Sequence, residues 1–524
     1  MKKLAIFVAA FVLTLGLAQC KKEQPVTPQT LEGETVHITV KVGSNGSKAD
    51  INTTNGKITF NDGDKLYVGY NGSKVGGELI YSTSASSFSG DITIVQDGND
   101  KPLHFYYLGG NLTPTIDGNQ YTVDISDQAS NYPVISYGIS NEPYTGPKSY
   151  STTLLNKCAL VKFTFRSNIT DAVVVGGMQT KATIDFSDPG VVTPSTPGEI
   201  TLHPGSSDTE KWAILLPQDA VAEAIVAIGD GYRGYTVNVP KIEENGFVTS
   251  INQINNSNPG NVIFLNKLSD TEYSASNGQI LTGEFASGKI SIRDQATVTL
   301  AGVTINTINS TGIGIECLGN NTIILKDGTT NRVKGGSNYP GIKPTGTLTI
   351  QGTGTLYATG GGKGAGIGSG VRANNCGSIN ISGGIVIATG GSSAAGIGSG
   401  GSATSCGNIN ISGGTVTATG GSNAVGIGAG YGTSTNNSTL SQCGTITITN
   451  TVTKVTATKG AGAQTCIGAS ASGRSICGTV KFGDVTMYNG SLWVTTPENG
   501  NTYGGLNFTI TMTNNADDTW ELQP

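Results

Sequence analysis

Apolar and polar positions follow each other most regularly between about residues 357 and 480. Residues 379–400 read INISGGIVIATGGSSAAGIGSG, and 409–430 read INISGGTVTATGGSNAVGIGAG, thirty residues further on. Within each copy, runs such as Ile379-Asn380-Ile381 and Ile385-Val386-Ile387 alternate, divided by Gly383-Gly384 and followed by Gly390-Gly391. Nothing helix-forming lies between them, so the pattern predicts short strands and tight corners. Cys376, Cys406, Cys443 and Cys477 each precede a Gly and a β-rich run, while Ile367, Ile397, Ile427 and Ile467 sit in the Gly-rich phrase. An insertion at about 431–442 accounts for much of the uneven spacing, and Gly312-Ile313-Gly314 and Gly341-Ile342 are fainter copies. Repetition at this period marks units that cannot bury an apolar face alone and therefore stack. Thirty residues make one coil of a parallel β-helix with three short strands, whose isoleucines, valines and small residues form ladders along the axis. Gly396-Ile397-Gly398 would let one wall turn sharply with its Ile inward. A flexible Gly/Ser linker would not hold Ile, Val and Cys in register.

The stacking pattern starts near 274–288, with Ile280, Leu281, Ile290, Ile292, Val298 and Leu300, and its last rungs, 479–490, are less regular. Both ends need caps. The tail from Leu506 offers one or two more strands, to cap the solenoid or to dock upstream. Between about Thr35 and Leu268 the texture is different: strand runs such as KLYVGY from Lys65, LHFYYLG from Leu103, ALVKFTF from Ala159 and KWAILLP from Lys211, separated by Asn, Gly and Asp turns. Such runs predict antiparallel sandwiches. The expected fold is mainly β: two transthyretin/Ig-like β-sandwich domains, 35–150 and 151–270, a parallel β-helix over 271–490, and C-terminal strands or a cap over 491–524.

The chain opens with Lys2, Lys3 and an apolar run from Leu4 to Ala18, the layout of a secretory signal too short for a membrane span. Leu17-Ala18-Gln19-Cys20 resembles a bacterial lipobox, which implies removal of residues 1–19 and acylation of Cys20. Lys21, where Asp would favour inner-membrane retention, points to the outer membrane. Residues 21–34 are polar and proline-bearing, so 20–34 is read as acylated Cys and tether. The 524 residues exceed one domain, and 77 glycines with 13% charged residues suit a Gly-cornered exported β protein. The net charge of −5 gives no reason to expect nucleic acid as a partner.

Three phrases carry a resemblance to a family: Phe60-Asn61-Asp62-Gly63-Asp64-Lys65-Leu66-Tyr67-Val68, Asn156-Lys157-Cys158-Ala159-Leu160-Val161-Lys162-Phe163, and Trp212-Ala213-Ile214-Leu215-Leu216-Pro217-Gln218. Together they resemble the fimbrillin-like surface lipoproteins of Bacteroidetes over some 230 residues. The resemblance implies two transthyretin-like sandwiches and, for some members, polymerisation by strand donation after an Arg-specific protease removes an N-terminal segment. This chain departs from that pattern, having no arginine before Arg166 and a solenoid at its C-terminal end. The departures favour a tip, accessory or free-standing surface subunit, with other fimbrial subunits as partners through strand donation. The repeats are also similar to Gly-rich β-helical modules of bacterial cell-surface proteins, some described as carbohydrate-binding.

A β-helix in an exported protein raises the alternative of a polysaccharide lyase or hydrolase. Residues 328–483, however, hold no Asp, Glu or His. Two carboxyl groups for glycoside cleavage, or several hard oxygens for Ca²⁺, cannot be assembled within that block. No cofactor, no metal and no catalysis are expected. His37, His104 and His203 stand far apart, Asp294 beside Arg293 reads as an exposed pair, and Asp62-Gly63-Asp64 reads as a β-turn rather than a Ca²⁺ loop. Cys376, Cys406, Cys443 and Cys477 would stack as a ladder, either as disulfides between neighbouring coils or as buried thiols. Cys158, in an apolar strand phrase, is expected in the core. The 328–483 block carries nine basic residues and a charge of +9, leaving −14 for the rest. Such a wall attracts polyanions. Insertions in solenoids gather on one face, which makes Arg372, Tyr431 and Arg474 the candidate ligand contacts. The expectation is therefore a lipid-anchored adhesin or fimbria-associated subunit facing the cell exterior, with glycans or a host surface as partners; a plain structural stalk is the remaining alternative.

Overall fold

The computed structural model describes residues 33–43, 50–52, 57–95, 100–109, 112–130, 132–205, 207–244, 246–248, 251, 253–286, 288–307, 312–371, 376–402, 404–432, 440–470, 474–513 and 516–524. Among them the sole helical element is one 3-10 turn, Leu265–Lys267; everything else regular is strand.

Upstream, a nine-stranded sheet holds Glu34–Val42 between Ser149–Thr152, parallel to it, and Ser87–Ile94, antiparallel. Strand Lys65–Tyr70 pairs with Pro102–Leu108, whose aromatics Phe105, Tyr106 and Tyr107 are almost wholly buried. A four-stranded sheet is built on Ala159–Thr164 and Glu210–Leu215. Cys158 is buried at its start, and burial pushes its thiol up to about 12. The segment before residue 150 is not self-contained. Gln120–Asp124 pairs with Val173–Asp185, and Leu155–Asn156 pairs back with Ile135–Pro143. One apolar cluster accordingly extends from Val36 to Ile254.

The passage into the solenoid is made by pairing rather than by a linker. Strand Val262–Phe264 is antiparallel to Arg233–Val239 on one side and parallel to Gln279–Phe285, the first coil, on the other. Val262, Ile280 and Ala301 form a small core there with Ile225 and Phe264.

From Glu272 the chain winds as parallel coils. One wall is an eight-stranded parallel sheet from Glu272–Ala275 to Ile467–Gly468, one strand per coil. Its inward column pairs Ile290 with Ile315, then Ile342, Ile367, Ile397, Ile427 and Ile467, all fully buried. Identical side chains recur here because in-register parallel strands set equivalent residues about 4.8 Å apart. After the last four, Ile367, Ile397, Ile427 and Ile467, comes a glycine at positive φ. Gly398 has φ +134°, and a Cβ on it would sit 1.9 Å from the Gly428 carbonyl oxygen. The long wall carries Ser378–Thr389 and Ile409–Thr419, paired from Ile379↔Ile409 to Thr389↔Thr419 with irregular register at the glycine pair. Val386 and Ala388 face inward, whereas Ile385 is 45% exposed, since strict alternation sends it outward opposite Thr415. The third wall is the three-stranded sheet of Ser405–Cys406, Ser441–Cys443 and Ser475–Cys477.

The tail settles the question the sequence left open. Ala516–Gln523 pairs antiparallel with Lys454–Thr458, and Leu506–Thr513 pairs with Ala516–Gln523. Phe508, Trp520 and Leu522 join the solenoid's own apolar cluster, so the C-terminal hairpin caps the coils.

Candidate functional site

The corner between the isoleucine wall and the cysteine wall varies most from coil to coil. Its frame is backbone. Gly398 is followed by Ser399, and the buried Ser369 and Ser399 hydroxyls accept the amide hydrogens of Gly400 and Gly430 on the next coil, both at 2.9 Å. Ser470 donates to the Gly430 carbonyl at 3.1 Å. This polar column inside the solenoid was missed by sequence reasoning. For Ser369 and Ser399 its signal was the Ser that ends the phrase Gly-Ile-Gly-Ser, and each buried hydroxyl is tolerated because it is hydrogen-bonded.

On that frame the Arg474 guanidinium lies over the Tyr431 ring, 5.5 Å from its centroid. Both side chains are half-buried. The Arg474 carbonyl accepts the amide hydrogens of Gly432 (3.1 Å) and Ser441 (3.3 Å), so one residue holds both ends of the insertion. The Tyr431 amide donates to Ser393 O at 2.8 Å, and its carbonyl accepts from Ser402 at 3.1 Å. Two of the three predicted contacts are thus neighbours; Arg372, like Cys20, lies outside the described residues. What the pair can do is present a cation stacked on an aromatic ring at the variable corner.

The positive block is less bare than its sequence implies. Lys343 is 3.3 Å from Glu316 and Lys454 is 2.7 Å from Glu521, both acids supplied from outside the block. Arg332 stacks on Tyr357 at 4.3 Å. Coil stacking and the cap bring carboxylates that a linear count places elsewhere. Glu316 is raised by burial, but hydrogen bonds and charge from Lys289 and Lys343 outweigh this and hold it below the usual carboxylate range.

The other sequence candidates resolve into structural roles. The Asp62 carboxylate accepts from the Thr83 amide and hydroxyl, at 2.5 and 2.8 Å, and Asp64 accepts from Asn61 N at 2.8 Å and the Tyr107 hydroxyl at 3.0 Å, around Gly63 at φ +91°. That is a turn with its carboxylates occupied. Asp294 accepts the Asn320 amide hydrogen at 2.8 Å, bracing the next coil. His37 meets Asp91 at 2.7 Å, His104 meets the Tyr137 hydroxyl at 2.7 Å, and His203 stacks on Tyr132 at 4.1 Å, each in a different place. Burial lowers His104. Among the described residues no group of three or more His, Cys, Asp or Glu is placed to hold a metal. A cavity of about 400 Å³ in the sandwich region is lined by Gln179, Gln218 and Asp219, with one carboxylate among its lining residues.

The fold and this rim define a mainly β protein carrying a beta-helix repeat. The model of the beta-helix repeat matches residues 348–371, 379–401 and 409–431, coils of the regular stretch. No curated protein matches the chain. Among solved structures, a candidate cell adhesion protein from Bacteroides uniformis is similar at 16% identity, covering 43% of this chain and 95% of its own, with a TM-score of 0.30. A fimbrial protein from Bacteroides ovatus is 12% identical over 42% of this chain and 49% of its own, TM-score 0.23. The fimbrial anchor protein Mfa2 from Porphyromonas gingivalis is 9% identical over 39% and 77%, TM-score 0.22.

Proposed function

We propose that this chain is a non-catalytic surface adhesin or fimbria-associated subunit, anchored to the outer membrane through Cys20, in which two β-sandwich domains form the base and the β-helix is the presented module. The observation that carries the reading is a solenoid filled by isoleucine, valine and alanine, free of Asp, Glu and His from 328 to 483, with Arg474 stacked on Tyr431 at its variable corner. The coils from 328 to 483 have no acid–base pair with which to cleave a glycan, and they carry a cation stacked on an aromatic ring with which to hold one. Acidic glycans are the preferred ligand class on charge. The test is a glycan array probed with the full chain at low and physiological salt. Retention of acidic glycans that weakens with salt, and falls at least several-fold in Arg474→Ala, is the expected result. Uniform silence would leave a stalk, a reading favoured by the strand pairing that joins base to solenoid. Release of new reducing or unsaturated sugar ends would make it an enzyme.

A further inference from the structure

Cys376, Cys406, Cys443 and Cys477 occupy one register column over four successive coils, each opposite the next. All four are buried. Directly paired residues on neighbouring strands lie about 4.8 Å apart, inside the roughly 4.4–6.8 Å range of Cα separations that a disulfide spans. One pair of sulfurs is already in contact: Cys376 Sγ is 2.9 Å from Cys406 Sγ. Cys443 stands directly opposite Cys477 in the same register. Pairing the middle two would strand the outer ones, whereas pairing the first two and the last two uses every thiol in the column.

We propose that this column is a site of covalent modification, oxidised during folding by a thiol–disulfide oxidant to two bridges, Cys376–Cys406 and Cys443–Cys477. In each, two S–H bonds break and one S–S bond forms, while the two electrons and two protons pass to the oxidant, whose own S–S bond breaks to give a dithiol. The timing follows from access. In the finished solenoid the thiols are covered, and the neighbouring thiol together with burial raises Cys406 and Cys443, so thiolate, the reactive form, is scarce. The oxidant must act before the coils close, and the state set then persists. Each bridge staples two adjacent coils. The unstapled step between Cys406 and Cys443 is the one that contains the insertion and Tyr431, so the candidate rim sits between two locked pairs.

The test sends the full chain to the oxidising compartment of a bacterial host, in one strain with and one without its dithiol oxidase. The protein is unfolded with one alkylating reagent, then reduced and labelled with a second. Chymotrypsin is the protease of choice, since no Lys or Arg lies between Arg372 and Lys454. With the oxidase, the four column cysteines should carry the second label, and Cys158, Cys317 and Cys466 the first. Without it, all seven should carry the first. In Cys406→Ser, Cys376 should move to the first label while Cys443 and Cys477 keep the second. Column thiols carrying the first label despite the oxidase, or loss of the second label from Cys443 in Cys406→Ser, would overturn the proposal. The bridged protein should also melt on the order of 5 °C above the same protein after reduction in denaturant and refolding.

Discussion

At the scale of single residues, the isoleucine column does the most. Ile397 is fully buried between Ile367 and Ile427. Truncation to Ala removes packed atoms and leaves a cavity, at a cost of about 2–5 kcal/mol. Ile397→Asp buries an unpaired charge in the column, and its expected outcome is loss of the solenoid's cooperative transition in circular dichroism, with the upstream sheets retained. An unchanged melting curve would contradict the ladder. A second residue-scale expectation concerns acid. Because the folded state holds Glu316 below its unfolded value, the Lys289–Glu316–Lys343 contact stabilises the fold above the unfolded pKa, about 4.3, and loses that contribution as pH falls through the folded value. Wild type should therefore melt above Glu316→Gln at pH 7, with the gap closing below about pH 4. A gap that widens in acid would reverse the sign.

At the scale of elements, the cap is the sensitive part. Ala516–Gln523 covers Lys454–Thr458 and brings Trp520 and Leu522 onto the end of the core. A solenoid end without such cover exposes an apolar floor and strand edges, both of which invite association. A chain ending at Gly505 should elute from size exclusion as oligomers and bind a hydrophobic dye, while the full chain does neither. A truncated chain that stays monomeric and dye-free would mean the hairpin is ornamental. The repeat itself was legible from the sequence because every coil writes the same inward residues at the same phase, and parallel stacking turns that phase directly into contact. The serine column was not, because a Ser in a Gly-rich phrase signals a turn until the next coil's amide hydrogens are in place.

At the scale of the whole molecule, base and solenoid share a strand rather than a tether. Val262 is fully buried in the small core beneath the first coil, and Lys326 reaches back to the Glu223 carbonyl at 3.1 Å. Val262→Asp should open the junction, so that limited proteolysis cuts near residues 255–261 and releases a stable fragment of the C-terminal half. Wild type should resist at that point under the same conditions; equal cleavage of both would show that the pairing bears no strain.

Sequence alone determined the periodic part: a thirty-residue phrase with Ile and Cys in fixed phase has one economical way to bury its apolar residues, and that is to stack. It also determined the absence of acids from 328 to 483 and the neighbourhood of Tyr431 and Arg474, since both sit in the corner that varies. Tertiary structure decided what depends on segments distant in sequence. The pairing of Gln120–Asp124 with Val173–Asp185, the entry strand Val262–Phe264, the C-terminal cap and the quenching of Lys343 and Lys454 by outside carboxylates all join segments whose partners no local pattern specifies. A strand edge accepts any chain of suitable alternation, and only the folded core selects which one arrives.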